Sequence, residues 1–263
     1  MSIKMRFSAN LGFLFRESSN ILEQYRLAKL AGFSAVEHPF PESNINHDEL
    51  LAIKVESKLE VALVNIELDD AKFGCASMPN KKNDFHQRLE NTVKFAKKFD
   101  CKKIHLMSGK LESSPTNENR ETFVANLKYA APFLEKEGMI GVIEPINNYS
   151  VPGYFLRDYK FAIEAIKKVG SNNIKLMVDI FHLQMIQGNI INSLKDFAPY
   201  IGHIQIAQAP NRNEPNTDGE LNYKYILAEI SKIGYDGYIG LEYKPLTSTV
   251  DGLKWLKEFG LDI

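Results

Sequence analysis

Residues 161–181, FAIEAIKKVGSNNIKLMVDIF, contain the pattern that decides the fold. The first part is an amphipathic segment that ends at Gly170, and glycine is the residue most typical of a helix C-terminus. The run IKLMVD follows, short and rich in apolar residues like a buried strand. The same order returns elsewhere, in NILEQYRLAKLAGF before SAVEH, AAPFLEKEG before MIGVIEP, and YILAEISKIG before YIGLEYKP.

The chain contains eight such β-rich runs, most of them separated by a helical segment: MRFSAN, SAVEH, VALVNI, KIHLM, IGVIEP, IKLMVD, HIQIA and YIGLEY. Alternation of strands and helices predicts a parallel sheet, and eight units in about 250 residues is the number found in a (β/α)8 TIM barrel. A doubly wound open sheet is the alternative, but no glycine-rich phosphate-binding motif follows the first run. We expect a single domain over residues 1–263.

Composition excludes several classes of protein. The 263 residues are 44% hydrophobic and 25% charged, with a formal net charge of -1. Since binding to phosphates needs clustered Lys and Arg, no nucleic-acid partner is expected. No apolar stretch approaches the roughly 18 residues of a membrane span, so we expect no membrane partner either. Cys75 and Cys101 are too few for a disulfide framework, which indicates a reducing compartment and a cytoplasmic location.

Side-chain alternation along the runs points to a polar site. In IKLMVD, Leu176 and Val178 share one face of the strand and Met177 and Asp179 share the other. In a barrel the apolar face packs outward on the helices, and functional residues lie at the C-terminal ends of the strands. Four polar side chains are then expected to point inward at that end, namely Glu144, Asp179, Gln205 and Glu242.

Three converging carboxylates raise one another's pKa unless a cation compensates their charge. A divalent metal would do so, and a donor set made only of oxygen favours Mg²⁺ or Mn²⁺ over zinc. We therefore predict one divalent metal ion. The alternative interpretation is that these are ordinary strand-end residues that cap helices or pair with lysines.

Several longer motifs resemble the hydroxypyruvate isomerase family of xylose-isomerase-like TIM barrels. They run almost from end to end of the chain: RFSANLGFLF, AGFSAVEHPFP, KIHLMSG, DIFHLQMIQGNI, HIQIAQAPNRNEPNTDGELNY and YIGLEYKP. The resemblance implies an isomerase that interconverts hydroxypyruvate and tartronate semialdehyde (2-hydroxy-3-oxopropanoate) through an enediol. It also implies that Glu144, Asp179, Gln205 and Glu242 hold the metal and that Glu144 and Glu242 transfer protons. Isomerisation of the four-carbon homologue, 2-oxo-tetronate, uses the same chemistry and stays open.

Three further residues are candidates for substrate binding. Arg212 lies in the long polar loop after HIQIA, and a guanidinium binds the carboxylate of a small keto acid through two parallel hydrogen bonds. His182 follows Asp179 by three residues, and Lys244 lies two residues beyond Glu242 on the same face. Each has an ordinary alternative, as a surface arginine, a structural histidine or a solvated lysine.

Other polar residues near the strand ends are expected to play supporting parts. His105 and His203 are interpreted as residues behind the metal ligands or as hydrogen-bonded core histidines. Glu37 and His38 are interpreted as polar lining without a catalytic role. The segment 67–83 is long, contains Gly and Pro, and is either a lid or a variable surface loop.

Two other functions fit the same scaffold. An abasic-site nuclease of the endonuclease IV type would hold a zinc cluster with His105, Glu144, Asp179, His182, His203 and Glu242. Against it, the chain lacks a basic surface signal and has Gln205 among the candidate ligands. A non-catalytic sugar-acid binding protein would have no need for a paired acid and base such as Glu144 and Glu242. The sequence leaves open whether the chain forms a homo-oligomer.

Overall fold

The eight predicted runs form a closed parallel barrel. The computed structural model describes residues 5–68 and 73–263, and each strand pairs with the next until β8 closes on β1. The strands are β1 Arg6–Asn10, β2 Ala35–His38, β3 Glu60–Asn65, β4 Lys103–His105, β5 Ile140–Ile143, β6 Ile174–Asp179, β7 Ile201–Ile206 and β8 Tyr238–Leu241. The prediction of a TIM barrel is confirmed, and the doubly wound alternative is wrong.

Helices connect the strands around the outside of the barrel. They are α1 Ile21–Leu30, α2 His47–Ser57, α3 Lys82–Lys98, α4 Asn117–Lys136, α5 Tyr159–Val169, α6 Ile180–Ile186, α7 Ile190–Phe197, α8 Tyr223–Lys232, α9 Thr249–Gly252 and α10 Lys254–Glu258. Short 3₁₀ turns cover Pro79–Lys81 and Ala198–Tyr200. No helix in the described ranges is long and apolar enough to cross a membrane.

The unit of residues 161–181 shows how the local sequence forms these elements. Asp158 caps α5 by accepting a hydrogen bond from the backbone N–H of Phe161 at 2.6 Å. Gly170 ends the helix with a φ of 70°, a left-handed conformation that glycine adopts without a Cβ penalty. The chain then enters β6, whose last residue, Asp179, caps α6 by accepting from the N–H of Phe181.

The two faces of the strands pack as alternation predicts. Leu176 and Val178 belong to the large core between the barrel and its helices. Met177, on the opposite face of β6, packs with Leu63 and Val142 in a separate small cluster. This apolar cluster lies in the barrel interior one inward position below Asp179, on the N-terminal side of the predicted ligands.

The segment 67–83 is described in part. Residues 69–72 lie outside the described residues, so the predicted lid stays a prediction. After them, Gly74 forms an isolated antiparallel bridge with Ser108, and Met107 O accepts from the N–H of Ala76 at 3.3 Å. The described end of the segment is therefore hydrogen-bonded to the chain that follows β4.

Candidate active site

The four predicted ligands lie on consecutive strands at one end of the barrel. Asp179 and Gln205 are residues of β6 and β7 and are paired in register, and Glu144 and Glu242 follow the last residues of β5 and β8 directly. Asp179 is fully buried, Glu144 and Gln205 nearly so, and the Glu242 side chain is 13% exposed. The fold therefore brings three carboxyl groups into a region with little water.

Burial raises the pKa of all three carboxyl groups. The pKa of Glu144 is raised well above its ordinary value by burial and then by the charges of Glu242 and Asp179. Burial also raises the pKa of Asp179 and raises that of Glu242 to about 8, while the charge of Arg212 acts in the opposite direction on both. These groups favour an ionised state only when positive charge lies beside them.

The donor atoms fit a divalent metal. Within the described part of the chain, one group of His, Cys, Asp and Glu residues places its ligand atoms within 4.8 Å of one another, namely Glu144, Asp179 and His182. Glu144 Oε1 and Gln205 Oε1 are buried oxygen atoms without a hydrogen-bond partner among the described residues. Buried oxygen atoms of this kind are normally satisfied by hydrogen bonds or by a cation, so the site suits a hard divalent ion.

The predicted substrate arginine reaches the same carboxylates. Arg212 Nη2 donates to Asp179 Oδ2 at 3.0 Å and to Glu242 Oε1 at 2.5 Å. Its guanidinium lies over the rings of Phe13 and Phe181, 4.5 and 4.8 Å from their centroids. The two rings and the two carboxylates therefore hold a strongly cationic side chain at the centre of the predicted site.

The loop after β7 positions Arg212 through a glutamine. Gln208 Nε2 donates to the carbonyls of Thr217 and Leu221, and its backbone carbonyl accepts from the N–H of Arg212 at 2.8 Å. The backbone carbonyl of Arg212 accepts from the N–H of Lys244 at 2.7 Å. The loop is thus fastened both to itself and to the chain after β8.

Lys244 contributes its backbone to this arrangement, while its side chain is exposed. Its carbonyl accepts from Asn213 Nδ2 at 2.8 Å. A direct role of the Lys244 ammonium in binding substrate stays a prediction.

The orientation of His182 is fixed by Asn147, a residue of the loop after β5. Asn147 Oδ1 accepts from the backbone N–H groups of Tyr149 and Ser150, so its Nδ2 must be the atom that faces His182. His182 Nδ1 accepts from this Nδ2 at 2.7 Å and from the Asn147 backbone N–H at 3.3 Å. Burial lowers the pKa of His182 well below its ordinary value, and the neutral ring therefore carries its proton on Nε2.

The protonated Nε2 of His182 is directed at the carboxylates. It lies 3.6 Å from Asp179 Oδ2 and 4.0 Å from Glu144 Oε1. A ring nitrogen that carries a proton is a donor and not a metal ligand. This geometry favours the prediction of a hydrogen bond from His182 to substrate over coordination of a metal by His182 together with Glu144 and Asp179.

Three residues that the sequence did not mark as catalytic or substrate-binding lie near the site. Asn10, at the end of β1, donates from Nδ2 to Glu242 Oε2 at 2.8 Å. Glu37, on β2, accepts from Gln205 Nε2 at 3.2 Å and lies 2.6 Å from His203 Nε2. The same parity rule that selected Asp179 could have selected Asn10 and Glu37, since both are inward residues at strand ends; Asn147 carried no comparable signal.

Comparison with known proteins places the chain in a family. Residues 25–259 match the family model described as xylose isomerase-like TIM barrel. A putative hydroxypyruvate isomerase from Drosophila melanogaster is 43% identical over 261 residues, covering 97% of this chain and 98% of that protein. The chain belongs to the hydroxypyruvate isomerase family. The resemblance seen in the sequence motifs is confirmed, and with it the expectation that the protein is an enzyme of the isomerase class.

Two further similar proteins are named for other reactions. A 2-oxo-tetronate isomerase from Cupriavidus necator is 36% identical and covers 97% of this chain and 98% of its own. The crystal structure of a protein named AP endonuclease, family 2, from Brucella melitensis is 32% identical, with a TM-score of 0.92 over 98% of this chain and 99% of that one. Members of the hydroxypyruvate isomerase family therefore share this barrel with proteins named for different reactions.

Proposed function

We propose that the chain interconverts hydroxypyruvate and tartronate semialdehyde with one divalent metal ion, Mg²⁺ or Mn²⁺. The observation that carries this proposal is the pairing of two glutamates, Glu144 and Glu242, at one buried site. Each has a raised pKa, and the charge of Glu242 acts directly on Glu144. A carboxyl group with a raised pKa is better suited than an ordinary one to both accept and donate a proton during turnover.

The proposed reaction moves a carbonyl by one carbon and leaves the formula unchanged. One glutamate removes a proton from C3, the hydroxymethyl carbon, which leaves an enediolate. The other glutamate delivers a proton to C2, the hydroxyl proton passes from O3 to O2, and proton exchange with solvent returns both glutamates to their starting states. Glu144, Asp179, Gln205 and Glu242 would hold the metal, which when bound supplies a Lewis acid for the substrate oxygens.

In this proposal, Arg212 and His182 make the site specific for a small keto acid. The guanidinium of Arg212 is a planar donor suited to a carboxylate. The Nε2 proton of His182 points into the same region and can donate to a hydroxyl or carbonyl oxygen of the substrate. Lys244 is an exposed residue whose backbone is hydrogen-bonded to the loop that carries Arg212, and we propose that its positive charge favours an anionic substrate.

The four-carbon keto acid is the nearest alternative substrate. It needs the same metal, the same two glutamates and the same arginine, and the relative from Cupriavidus necator is named for it. Of the two curated relatives described above, the one named for hydroxypyruvate is the more similar, at 43% identity against 36%. We therefore propose hydroxypyruvate as the first substrate to test.

A nuclease is a second candidate because the similar protein from Brucella melitensis is named an AP endonuclease. The site argues against it. Among the described residues, the groups close enough to share a metal comprise a single histidine, His182, whereas His203 Nε2 faces Glu37. The formal net charge of -1 also gives no electrostatic reason to expect binding to a phosphate backbone. A binding protein without chemistry would not need both Glu144 and Glu242.

Proton NMR in D₂O tests the proposal. Protein loaded with Mg²⁺ is incubated with hydroxypyruvate, with a parallel sample in excess chelator. We expect metal-dependent tartronate semialdehyde that carries deuterium at C2. Product without deuterium would indicate either a hydride shift or transfer of a proton that does not exchange with solvent. Turnover that persists in chelator would contradict the requirement for a metal. If neither the three-carbon nor the four-carbon acid gave a product, the isomerase proposal would be overturned.

A further inference from the structure

Glu37 lies beside the proposed metal site and is fully buried inside the barrel. It belongs to β2, and its carboxylate crosses the barrel interior toward β7. Oε2 lies 2.6 Å from His203 Nε2, and Oε1 accepts from Gln205 Nε2 at 3.2 Å. A buried carboxyl group with two specific partners on another strand needs an explanation, since burial of a carboxylate is costly without compensation.

The barrel is shaped to admit this carboxylate. Gly240 occupies the inward position of β8 between the two partners. A Cβ at residue 240 would overlap Glu37 Oε1 and would lie 2.8 Å from Gln205 Cγ, a distance that real Cβ atoms do not show. Any other residue at 240 would displace the Glu37 carboxylate or the Gln205 side chain. The glycine therefore provides the space in which the contact between Glu37 and Gln205 forms.

The contact decides which atom of the Gln205 amide faces the site. With Nε2 donating to Glu37, Oε1 is directed away from the carboxylate, and it is buried without a hydrogen-bond partner among the described residues. Glu37 Oε1 is an acceptor when the carboxyl group is ionised and also when its proton lies on Oε2, 2.6 Å from His203 Nε2. In either state the reversed amide would bring two acceptor oxygen atoms to hydrogen-bond distance of each other and would present N–H groups in place of the ligand oxygen. An amide nitrogen of glutamine is not a metal donor, so the orientation determines whether Gln205 can serve as a ligand.

We propose that Glu37 is a positioning residue that, held by His203, fixes the Gln205 amide with its oxygen toward the metal. The proposal rests on the metal-dependent function described above and goes beyond it in assigning the residue that orients one ligand. Residues that hydrogen-bond to metal ligands typically change metal affinity about 10- to 100-fold when removed.

Binding of Mn²⁺, followed by the EPR signal of the free ion, tests the proposal without any measurement of activity. Glu37→Leu removes the acceptor at similar volume, and we expect it to weaken Mn²⁺ binding about 10- to 100-fold. Glu37→Gln keeps an oxygen that can accept from Gln205, and we expect it to bind Mn²⁺ close to the wild-type affinity. Glu229→Leu, which removes a buried glutamate of α8 paired with Lys232, is the matched control and should leave the affinity unchanged.

A second background separates an effect through Gln205 from any other effect. In Gln205→Ala protein, Glu37→Leu should cause no further loss of Mn²⁺ affinity, because the ligand that it orients is already absent. An equal loss in both backgrounds, or no loss in the wild-type background, overturns the proposal. Should Glu37→Leu fail to fold, Glu37→Asp, which keeps the charge but is too short to reach Gln205, gives the same test.

The outcomes also distinguish this proposal from the proposed function. Wild-type protein that binds neither Mn²⁺ nor Mg²⁺ would overturn both together. Wild-type protein that binds Mn²⁺ and is matched by Glu37→Leu would overturn the role of Glu37 alone. Far-UV circular dichroism and urea unfolding of each variant in chelator show whether a change in affinity reflects the fold.

Discussion

Arg212 donates from Nη2 to Asp179 Oδ2 at 3.0 Å, and the two residues are 33 positions apart in the chain. The same nitrogen also contacts Glu242. The guanidinium therefore has two functions in the proposed enzyme. It stabilises the ionised form of Asp179, whose pKa burial would otherwise raise further, and we propose that it donates to a substrate carboxylate.

Arg212→Gln is expected to weaken binding of the keto acid. A hydrogen bond to a charged group contributes about 1.5–3 kcal/mol, so KM for hydroxypyruvate should rise roughly 10- to 100-fold. Steady-state kinetics measure KM and kcat, and Arg16→Gln, an exposed arginine in the connection after β1, is the control. An unchanged KM would show that the substrate carboxylate is bound elsewhere, with Lys244 the next residue to replace.

Glu144→Gln and Glu242→Gln should each abolish turnover in a folded protein. The amide cannot take or return a proton, and general acid–base catalysis typically contributes about 10²- to 10⁴-fold to the rate. The loss is measured as kcat with saturating Mg²⁺, with circular dichroism as the check on folding. Glu220→Gln, an exposed glutamate in the loop that carries Arg212, should retain full activity. Near-normal turnover in either site variant would restrict that glutamate to holding the metal.

The alternation of apolar and polar residues along each strand predicted the barrel and placed the site at the C-terminal ends of the strands, because alternation fixes which side chains face inward. The position of Asp179 beside Gln205 followed from parity and from consecutive strands alone. Contacts between side chains on opposite sides of the barrel could not be predicted from the pattern of a single strand. Glu37 and His203 are 166 residues apart, and their distance depends on how the barrel closes.

The geometry of the loops did not follow from strand patterns either. The polar loop after β7 predicted that Arg212 faces the substrate, but its contacts with Asp179 and Glu242 depend on the backbone hydrogen bonds to Gln208 and Lys244. The role of Asn147 was equally hidden, since it arises from a local turn that aims one amide at one histidine. Neither feature has a periodicity that a sequence pattern could reveal.

The hydrogen bonds of Asn147 predict the tautomer of His182. In wild-type protein we expect an unprotonated Nδ1 and a protonated Nε2, read from long-range ¹H–¹⁵N correlations of protein labelled with ¹⁵N-histidine. The signals of His182 are identified by their absence in His182→Gln. A wild-type ring with its proton on Nδ1 would contradict the donor role of Nε2 and would restore His182 as a candidate metal ligand.

Asn147→Asp is the matched change, because it replaces the side-chain donor at 2.7 Å from His182 Nδ1 by an acceptor of the same size and leaves only the longer backbone contact at 3.3 Å. We expect Nδ1 to become protonated in this variant, which the same spectra detect. Ser150, which donates its N–H to Asn147 Oδ1 and accepts from Nδ2, offers a control. Ser150→Ala leaves the amide facing the ring and should leave the tautomer unchanged.

The buried carboxyl groups predict how the stability of metal-free protein depends on pH. Burial raises the pKa of Glu37 and of Glu242 to about 8. Because these groups bind a proton more tightly in the folded than in the unfolded chain, their contribution to the free energy of unfolding is full below pH 4.5 and is lost as pH rises through about 8. The buried histidines act in the opposite sense, since the lowered pKa values of His105, His182 and His203 remove stability as pH falls below 6.5.

Above about pH 7.5 the histidines are almost entirely neutral in both states, and up to about pH 8.5 the carboxyl groups determine the slope. In chelator, the free energy of unfolding in urea should therefore fall as pH rises, by up to about 1.4 kcal/mol per pH unit for each linked proton. With Mn²⁺ the slope should reverse, because the metal binds ionised carboxylates and displaces their protons. Glu37→Gln, which removes one of the titrating groups, should flatten the slope in chelator; a free energy of unfolding that rises with pH in metal-free protein would contradict the assignment of these groups.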